Sequence, residues 1–337
     1  MKEGIYLAGN LLADLVKQVD CYPEKGMLAN IQAVSRSVGG CVPNTAIDLA
    51  KLDPALPLAA IGRVGKDEYG DYILAELQRY RIDTGRVKIT PDLPTGFTDV
   101  MSLPFGERTF FHARGANAAF RPEDVDLEGL NCRMMHIGYL MLLDEFDRQD
   151  PEYGTKMARF LRAAQQKGMK TSVDAVSSGT ADYKATITPA LQYCDYVIIN
   201  EIECCGIWGI DPKGPDGSLN PAAVRQAMEK TAGCGVREKV IVHCKEAGFC
   251  LDAQAGRFTA VPSLLLPPEA IKGSVGAGDA FCAGCLYGLY QGCSDRKLLE
   301  FASAAAACNL AAENSVDGMQ RAETVWNMAK NERRNLC

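Results

Sequence analysis

Short apolar runs along this chain alternate with longer stretches whose apolar positions recur every three or four residues. The runs at 5–8, 58–61, 134–137, 170–173, 196–199 and 240–242 predict short strands. Helical spacing covers 44–52, 67–80, 153–167 and 222–231. In 67–80 the apolar positions Tyr72, Ile73, Leu77 and Tyr80 mark one helical face. Two more helical patterns, 277–290 and 298–312, close the chain. Strand and helix in regular alternation imply parallel βαβ units, hence an α/β fold with a doubly wound, mostly parallel sheet flanked by helices.

Two regions break this alternation. Residues at about 14–38 and 95–113 are rich in β-branched and aromatic residues and poor in helix formers. Thr109-Phe110-Phe111-His112 is the clearest extended piece. Both interrupt the N-terminal half, so they predict a small β-sheet lid inserted into one domain spanning 1–337. A small exposed sheet has edges and an apolar face that need cover, which points to a homodimer formed through the lid.

The totals agree with a single large α/β unit. The chain has 337 residues, of which 47% are hydrophobic and 23% charged, the composition of an ordinary globular protein. Its formal net charge of −6 gives it no general attraction for nucleic acid or an anionic membrane. The basic cluster Arg333-Arg334 reads as a solvated helix end. No apolar run reaches the length of a membrane span, and the N-terminal residues lack a signal-peptide pattern, so a cytoplasmic location is expected.

Fourteen cysteines are irregularly spaced, mostly in apolar contexts. Disulfides are not expected in a reducing compartment. Cys282 and Cys285 form a C-x-x-C, which raises zinc or redox chemistry. A second pair is missing, and this one lies within an apolar, small-residue helical pattern. Both are therefore read as core cysteines.

The sharpest chemical signal is "GSVGAGDAF", residues 273–281, just ahead of a long helical pattern. Gly276, Ala277 and Gly278 fall at a helix N-terminus, where amides lack partners and the helix dipole is positive. Glycines let an anion approach those amides. Asp279, in the first helical turn, is expected to stay ionised and to accept a proton from an attacking hydroxyl. An anion hole beside a base is what phosphoryl transfer to an alcohol requires. An ordinary capped helix with an acid in its first turn has the same local sequence. Other glycine signatures fail: G-x-x-x-x-G-K-[ST] is absent, and G-x-G-x-x-G is broken by Phe281.

Here the chain resembles the ribokinase-like (PfkB-type) carbohydrate kinases. The family's late D-T-x-G-A-G-D motif stands as Gly273-Ser274-Val275-Gly276-Ala277-Gly278-Asp279. Its early Gly-Gly followed by Asn stands as Gly39-Gly40-Cys41-Val42-Pro43-Asn44. "IGRVGKDEYG" (61–70), "GANAAF" (115–120) and "INEIE" (199–203) resemble three further family segments in the same order. The similarity runs over about residues 4–318.

The resemblance implies specific roles. Asp279 is the catalytic base, and Gly276, Ala277 and Gly278 form the anion hole. Asp14, Gly39, Gly40 and Asn44 hold the sugar hydroxyls, and Arg108 and Arg114 reach the substrate or the transferred phosphate from the lid, on one strand face with Phe110 and His112. Asn200, Glu203, His243, Lys245, Gly248 and Ser303 serve the nucleotide, with Glu203 near Mg²⁺ through water; Asn200 is also a natural helix cap. ATP is the expected cosubstrate.

The sequence also departs from the family. Gly273 and Ser274 replace an Asp and a Thr in a loop that helps hold a monovalent cation in relatives, which leaves that cation open. His243-Cys244-Lys245-Glu246-Ala247-Gly248 replaces T-x-G-x-x-G near the nucleotide, and Cys41 and Leu12 replace residues of ribokinases proper. The expectation is ATP-dependent phosphorylation of a hydroxyl, primary by preference, on a small sugar or sugar derivative. The alternatives are a nucleoside kinase of the same superfamily and a non-catalytic sugar or nucleotide sensor on the same fold.

Overall fold

A computed structural model describes residues 2–103, 108–177 and 183–335. Among these residues, nine strands form one sheet in the order Phe258–Pro262, Ala247–Asp252, Lys239–His243, Tyr196–Asn200, Lys170–Ala175, Met134–Leu140, Ile5–Gly9, Leu58–Gly65 and Asp83–Thr90. From Lys239–His243 to Asp83–Thr90 all neighbours pair in parallel. The expected doubly wound sheet is therefore present.

It differs from the sequence reading at both edges. Ala247–Asp252 and Phe258–Pro262 close one edge as antiparallel strands. Asp83–Thr90, half polar and without a clean apolar run, adds a parallel strand at the other. Asp83–Thr90 and Phe258–Pro262, the outermost strands, have few buried positions, whereas Ala247–Asp252 is buried along most of its length and feeds both cores.

Side chains of the central strands alternate between two cores. Met134 packs into one, with Leu7, Ile47, Leu77 and Leu286. Met135 and Ile137 enter the other, with Phe146, Phe160 and Leu191. A strand that feeds both faces must be apolar throughout, which is why these strands read as unbroken hydrophobic runs.

Helices cover both faces. Glu68–Arg79 starts where Asp67 accepts a hydrogen bond from Gly70 N at 2.9 Å, a side-chain cap on the first turn. Ala277–Tyr290 and Asp295–Asn309 pack against one another. A Cβ on Gly284 would lie 2.7 Å from the Ala302 Cα, so the two backbones meet at that glycine. This contact, with buried Phe281 and Leu286, fixes the N-terminus of Ala277–Tyr290 against the sheet. Each such side chain contributes about 1.5–3 kcal/mol on burial.

A second sheet of four strands, in the order Ile31–Gly39, Leu12–Val19, Gly96–Ser102 and Arg108–Ala113, springs from the carboxyl end of Ile5–Gly9. Its outer pairs are antiparallel and its central pair, Leu12–Val19 with Gly96–Ser102, is parallel. Among the described residues no helix is long and apolar enough to cross a membrane. The Arg333-Arg334 cluster is not a solvated helix end: the last helix stops at Asn331, and Arg334 donates to the Pro262 carbonyl at 2.8 Å.

Candidate active site

Four parallel strands end around one cleft. Tyr139, Asp174, Asn200 and His243 stand at or near the carboxyl ends of Met134–Leu140, Lys170–Ala175, Tyr196–Asn200 and Lys239–His243. In open α/β sheets that end of the strands is where ligands lie. The four residues line a cavity of about 610 Å³ together with Gly276, Gly278, Asp279 and Glu203, and with Arg108 and Phe110 from the small sheet.

The glycine turn is built as its sequence suggests. Gly276 caps Ala277–Tyr290 with φ 77°, a left-handed conformation. A Cβ there would lie 2.6 Å from the Ser315 Cβ, so both backbone and space require glycine. The Ala277 amide reaches back to the Ser274 carbonyl at 3.4 Å, a long bond. The amides of Gly276, Gly278 and Asp279 have no hydrogen-bond partner among the described residues. Three free N–H groups at a helix N-terminus make a ready anion site.

Asp279 is 7% exposed. Its two oxygens are held apart by different partners: Asn44 Nδ2 donates to Oδ2 at 2.9 Å and the Tyr139 hydroxyl donates to Oδ1 at 2.7 Å. Burial pushes its pKa up to about 6, while the Asn44 and Tyr139 hydrogen bonds hold it down. The carboxylate is thus ionised at neutral pH yet close enough to neutrality to take a proton.

Asp14 stands near it on Leu12–Val19. Burial pushes Asp14 up to about 7; a hydrogen bond from Thr98 opposes this and the charge of Asp279 adds to it. A Cβ on Gly39 would lie 2.3 Å from Asp14 Oδ2, so this backbone lies directly on the carboxylate. Gly40 has φ 84° and caps the helix Cys41–Leu52, which carries Asn44. The Gly39-Gly40 turn therefore places both Asp14 and Asn44 close to Asp279.

A second cavity of about 660 Å³ adjoins the first and shares Asn200, His243, Ser274 and Gly278 with it. Its walls are mostly apolar, from Ile202, Leu264, Ile271, Phe281, Ala306 and Leu310. One polar, carboxylate-lined cavity and one apolar cavity thus meet at the helix N-terminus. A family model for pfkB family carbohydrate kinases matches residues 5–321.

The chain belongs to the pfkB family of carbohydrate kinases. It is 26% identical to the 2-dehydro-3-deoxygluconokinase of Escherichia coli K12 over 258 residues, 75% of this chain and 81% of that protein. It is 24% identical to the ribokinase of Arabidopsis thaliana over 328 residues, 97% of this chain and 81% of that one. The structure of Arabidopsis ribokinase complexed with ribose and ATP superposes with a TM-score of 0.78 at 21% identity, covering 98% of this chain and 99% of that one. The ribokinase-like fold expected from the motifs is thus present.

Five of the residues that the pfkB resemblance assigns to the nucleotide line these two cavities: Asn200, Glu203, His243, Lys245 and Ser303. Asn200 caps the helix Glu201–Gly206 in a reciprocal box with Glu203: Glu203 N donates to Asn200 Oδ1 at 2.8 Å, and Asn200 N donates to Glu203 Oε2 at 3.0 Å. Ser177 also donates to Glu203 Oε1 at 3.0 Å. Burial nevertheless pushes Glu203 up to about 8. His243 packs tilted against Phe281, with 4.9 Å between ring centres, and burial lowers its pKa to about 4, so it faces both cavities as a neutral ring. Lys245 and Ser303 line the apolar cavity.

Gly248 does not. It lies beneath the wall, where a Cβ would meet Phe281 and Leu299 at 3.2 and 3.3 Å, so its role is to admit those side chains. Arg114 also departs from expectation. The strand ends at Ala113, and the Arg114 guanidinium pairs with Asp144 away from the cavity. Of the four residues expected on one face, Arg108 and Phe110 line the cavity and His112 Nδ1 lies 3.2 Å from the Thr98 hydroxyl.

Sequence reasoning missed Tyr139 and Asp174. Tyr139 stands two residues past the run 134–137 and Asp174 directly after the run 170–173, one position before the observed strands end at Leu140 and Ala175, and that position was the available signal. The C-x-x-C also divides. Cys285 is core, whereas buried Cys282 has its thiol 3.6 Å from His136 Nε2.

Proposed function

We propose that the protein catalyses ATP-dependent phosphoryl transfer to a hydroxyl of a small sugar or sugar derivative, with Asp279 as general base. One observation carries this reading: an ionisable acid, Asp279, and three amides unpaired among the described residues converge on the polar cavity, beside Gly278, where it meets the apolar one. The apolar cavity suits the adenine of ATP, with Lys245 and Ser303 at its walls. The polar cavity suits the reacting end of the acceptor at Asp279; Asp14, Gly39, Gly40 and Asn44 do not line that cavity, and in this reading they meet the sugar hydroxyls on the lid side of Asp279.

In this reading Asp279 takes the proton of the acceptor hydroxyl as its oxygen bonds to the γ-phosphorus and the bond to ADP breaks. The Gly276, Gly278 and Asp279 amides stabilise the charge on the transferred group. Asn44 and Tyr139 orient the base. Glu203, Asn200 and Ser177 offer hard oxygen donors on the cavity wall, and buried Glu203 favours a nearby positive charge, so Mg²⁺ fits there through water. When bound it would neutralise the nucleotide phosphates. The carboxylate by which relatives hold a monovalent cation is missing at Gly273, where a Cβ would lie 2.8 Å from the Ala312 carbonyl oxygen; no such cation is proposed.

The small sheet acts as the lid, with Arg108 and Phe110 closing over the acceptor and excluding water. Its outer residues Val34 and Phe111 are 66% and 57% exposed. A second copy of the chain covering them is the assembly we propose. The test is a panel of sugars, sugar acids and nucleosides incubated with ATP and Mg²⁺, with product read by mass. Phosphorylation of a sugar or sugar acid supports the reading. Phosphorylation of nucleosides alone, or ligand binding without turnover, overturns it.

A further inference from the structure

Behind Asp279, three buried side chains from three elements converge. His136 comes from Met134–Leu140, Asp174 from Lys170–Ala175 and Cys282 from Ala277–Tyr290. Each offers one ligand atom, and the three atoms lie within 4.8 Å of one another. His136 Nε2 is 3.5 Å from Asp174 Oδ2 and 3.6 Å from Cys282 Sγ. The first is long for a hydrogen bond and the second is an ordinary thiol–imidazole distance. Both match the edges of a tetrahedral zinc site: metal–ligand bonds of about 2.3 Å to sulfur and about 2.05 Å to nitrogen or oxygen imply separations of about 3.4–3.6 Å.

Two further features point the same way. Asp174 is 7% exposed and its Oδ1 has no hydrogen-bond partner among the described residues. A buried carboxylate oxygen without a partner is costly, and a cation held by Oδ2 and within reach of Oδ1 would satisfy it. His136 Nδ1 is 3.1 Å from the Ser172 hydroxyl. With Nδ1 protonated and donating to Ser172, the Nε2 lone pair faces the other two ligands, as a metal-bound imidazole requires.

We propose that His136, Asp174 and Cys282 form a binding site for a borderline-soft divalent cation, zinc by chemistry, distinct from the oxygen-lined region proposed for Mg²⁺. Asp174 and Cys282 both line the polar cavity, which provides an entry path for the cation. Binding converts the Cys282 thiol to a thiolate and releases its proton to solvent. The cation sits next to the catalytic base, since Asp174 and His136 both act electrostatically on Asp279. Occupancy would therefore lower the proton affinity of Asp279.

The test uses the full-length, metal-free protein with cobalt(II) as a spectroscopic probe and zinc as competitor. One equivalent of cobalt should give a thiolate-to-metal charge-transfer band and the strong visible bands of four-coordinate cobalt, both abolished by zinc and unaffected by Mg²⁺. Cys282→Ser should lose the charge-transfer band and Cys285→Ser should keep it. Ser172→Ala, which removes only the partner of His136, should weaken zinc binding about 10–100-fold. Anomalous scattering from zinc-soaked crystals of the unaltered protein would locate the ion without any substitution. No stoichiometric cobalt binding, a charge-transfer band unchanged in Cys282→Ser, or zinc found elsewhere would each overturn the proposal.

Discussion

The Tyr139 hydroxyl donates a 2.7 Å hydrogen bond to Asp279 Oδ1, joining residues 140 positions apart in the chain. This bond and that from Asn44 oppose the effect of burial and hold Asp279 at about 6. Tyr139→Phe removes one of them, so the acid should be harder to ionise. The acid limb of the kcat/KM profile, set by the free enzyme, should move to higher pH. Asn44→Ala should shift it the same way. A limb that stays in place, or moves down, in both variants would separate Asp279 from the titrating group.

Asp279→Asn keeps the shape and removes the base. Turnover should fall by about 10²-fold or more, the range general-base catalysis supplies. Nucleotide affinity, measured by calorimetry, should change little. Turnover near that of the unaltered protein would remove Asp279 from the mechanism.

Gly278 tests the amides. A Cβ there would lie 3.3 Å from His243 Cε1, at the junction of the two cavities. Gly278→Val should place bulk over the free N–H groups and lower kcat by about 10²–10³-fold, the effect of losing one such donor. The thermal midpoint should shift by no more than a few degrees, because the altered face is lined by cavity.

Asp14 should act on the acceptor side alone. Asp14→Ala is expected to raise the sugar KM far more than the ATP KM in steady-state assays. Equal changes in both would place Asp14 outside the acceptor site.

Glu203 makes a prediction about stability. Burial raises its pKa from an ordinary 4.5 to about 8, so the folded state holds a proton that the unfolded chain releases. Its contribution to stability is then full below about 4.5 and is lost as pH rises through about 8. Glu203→Gln, which carries no titrating proton, should melt progressively higher relative to the unaltered protein as pH rises across that window. A difference in melting temperature that is flat with pH would show that Glu203 is not perturbed in the free protein.

Much of the architecture was legible because strand and helix periods are local. The helical pattern at 277–290 coincides with the observed helix Ala277–Tyr290, and the glycines before it predicted an open N-terminus that the left-handed Gly276 provides. The acid in the first turn followed from position alone. Asp83–Thr90 and Phe258–Pro262 were missed because an outermost strand carries too few apolar positions to register as a run; Ala247–Asp252 does carry an apolar run, Ala247 to Leu251, and was overlooked.

By itself, then, the sequence determined the central strands and the main helices, where the anion-binding turn lies and which acid stands in it, since each depends on residues within a few positions of one another. Tertiary structure alone decided what that acid touches. Tyr139 and Asn44 reach Asp279 from 140 and 235 positions away, Cys282 meets His136 from 146 away, Arg114 turns to Asp144, and Gly248 is spent on packing Phe281. These pairings follow from how the parallel strands are ordered in the sheet, and no local periodicity encodes that order.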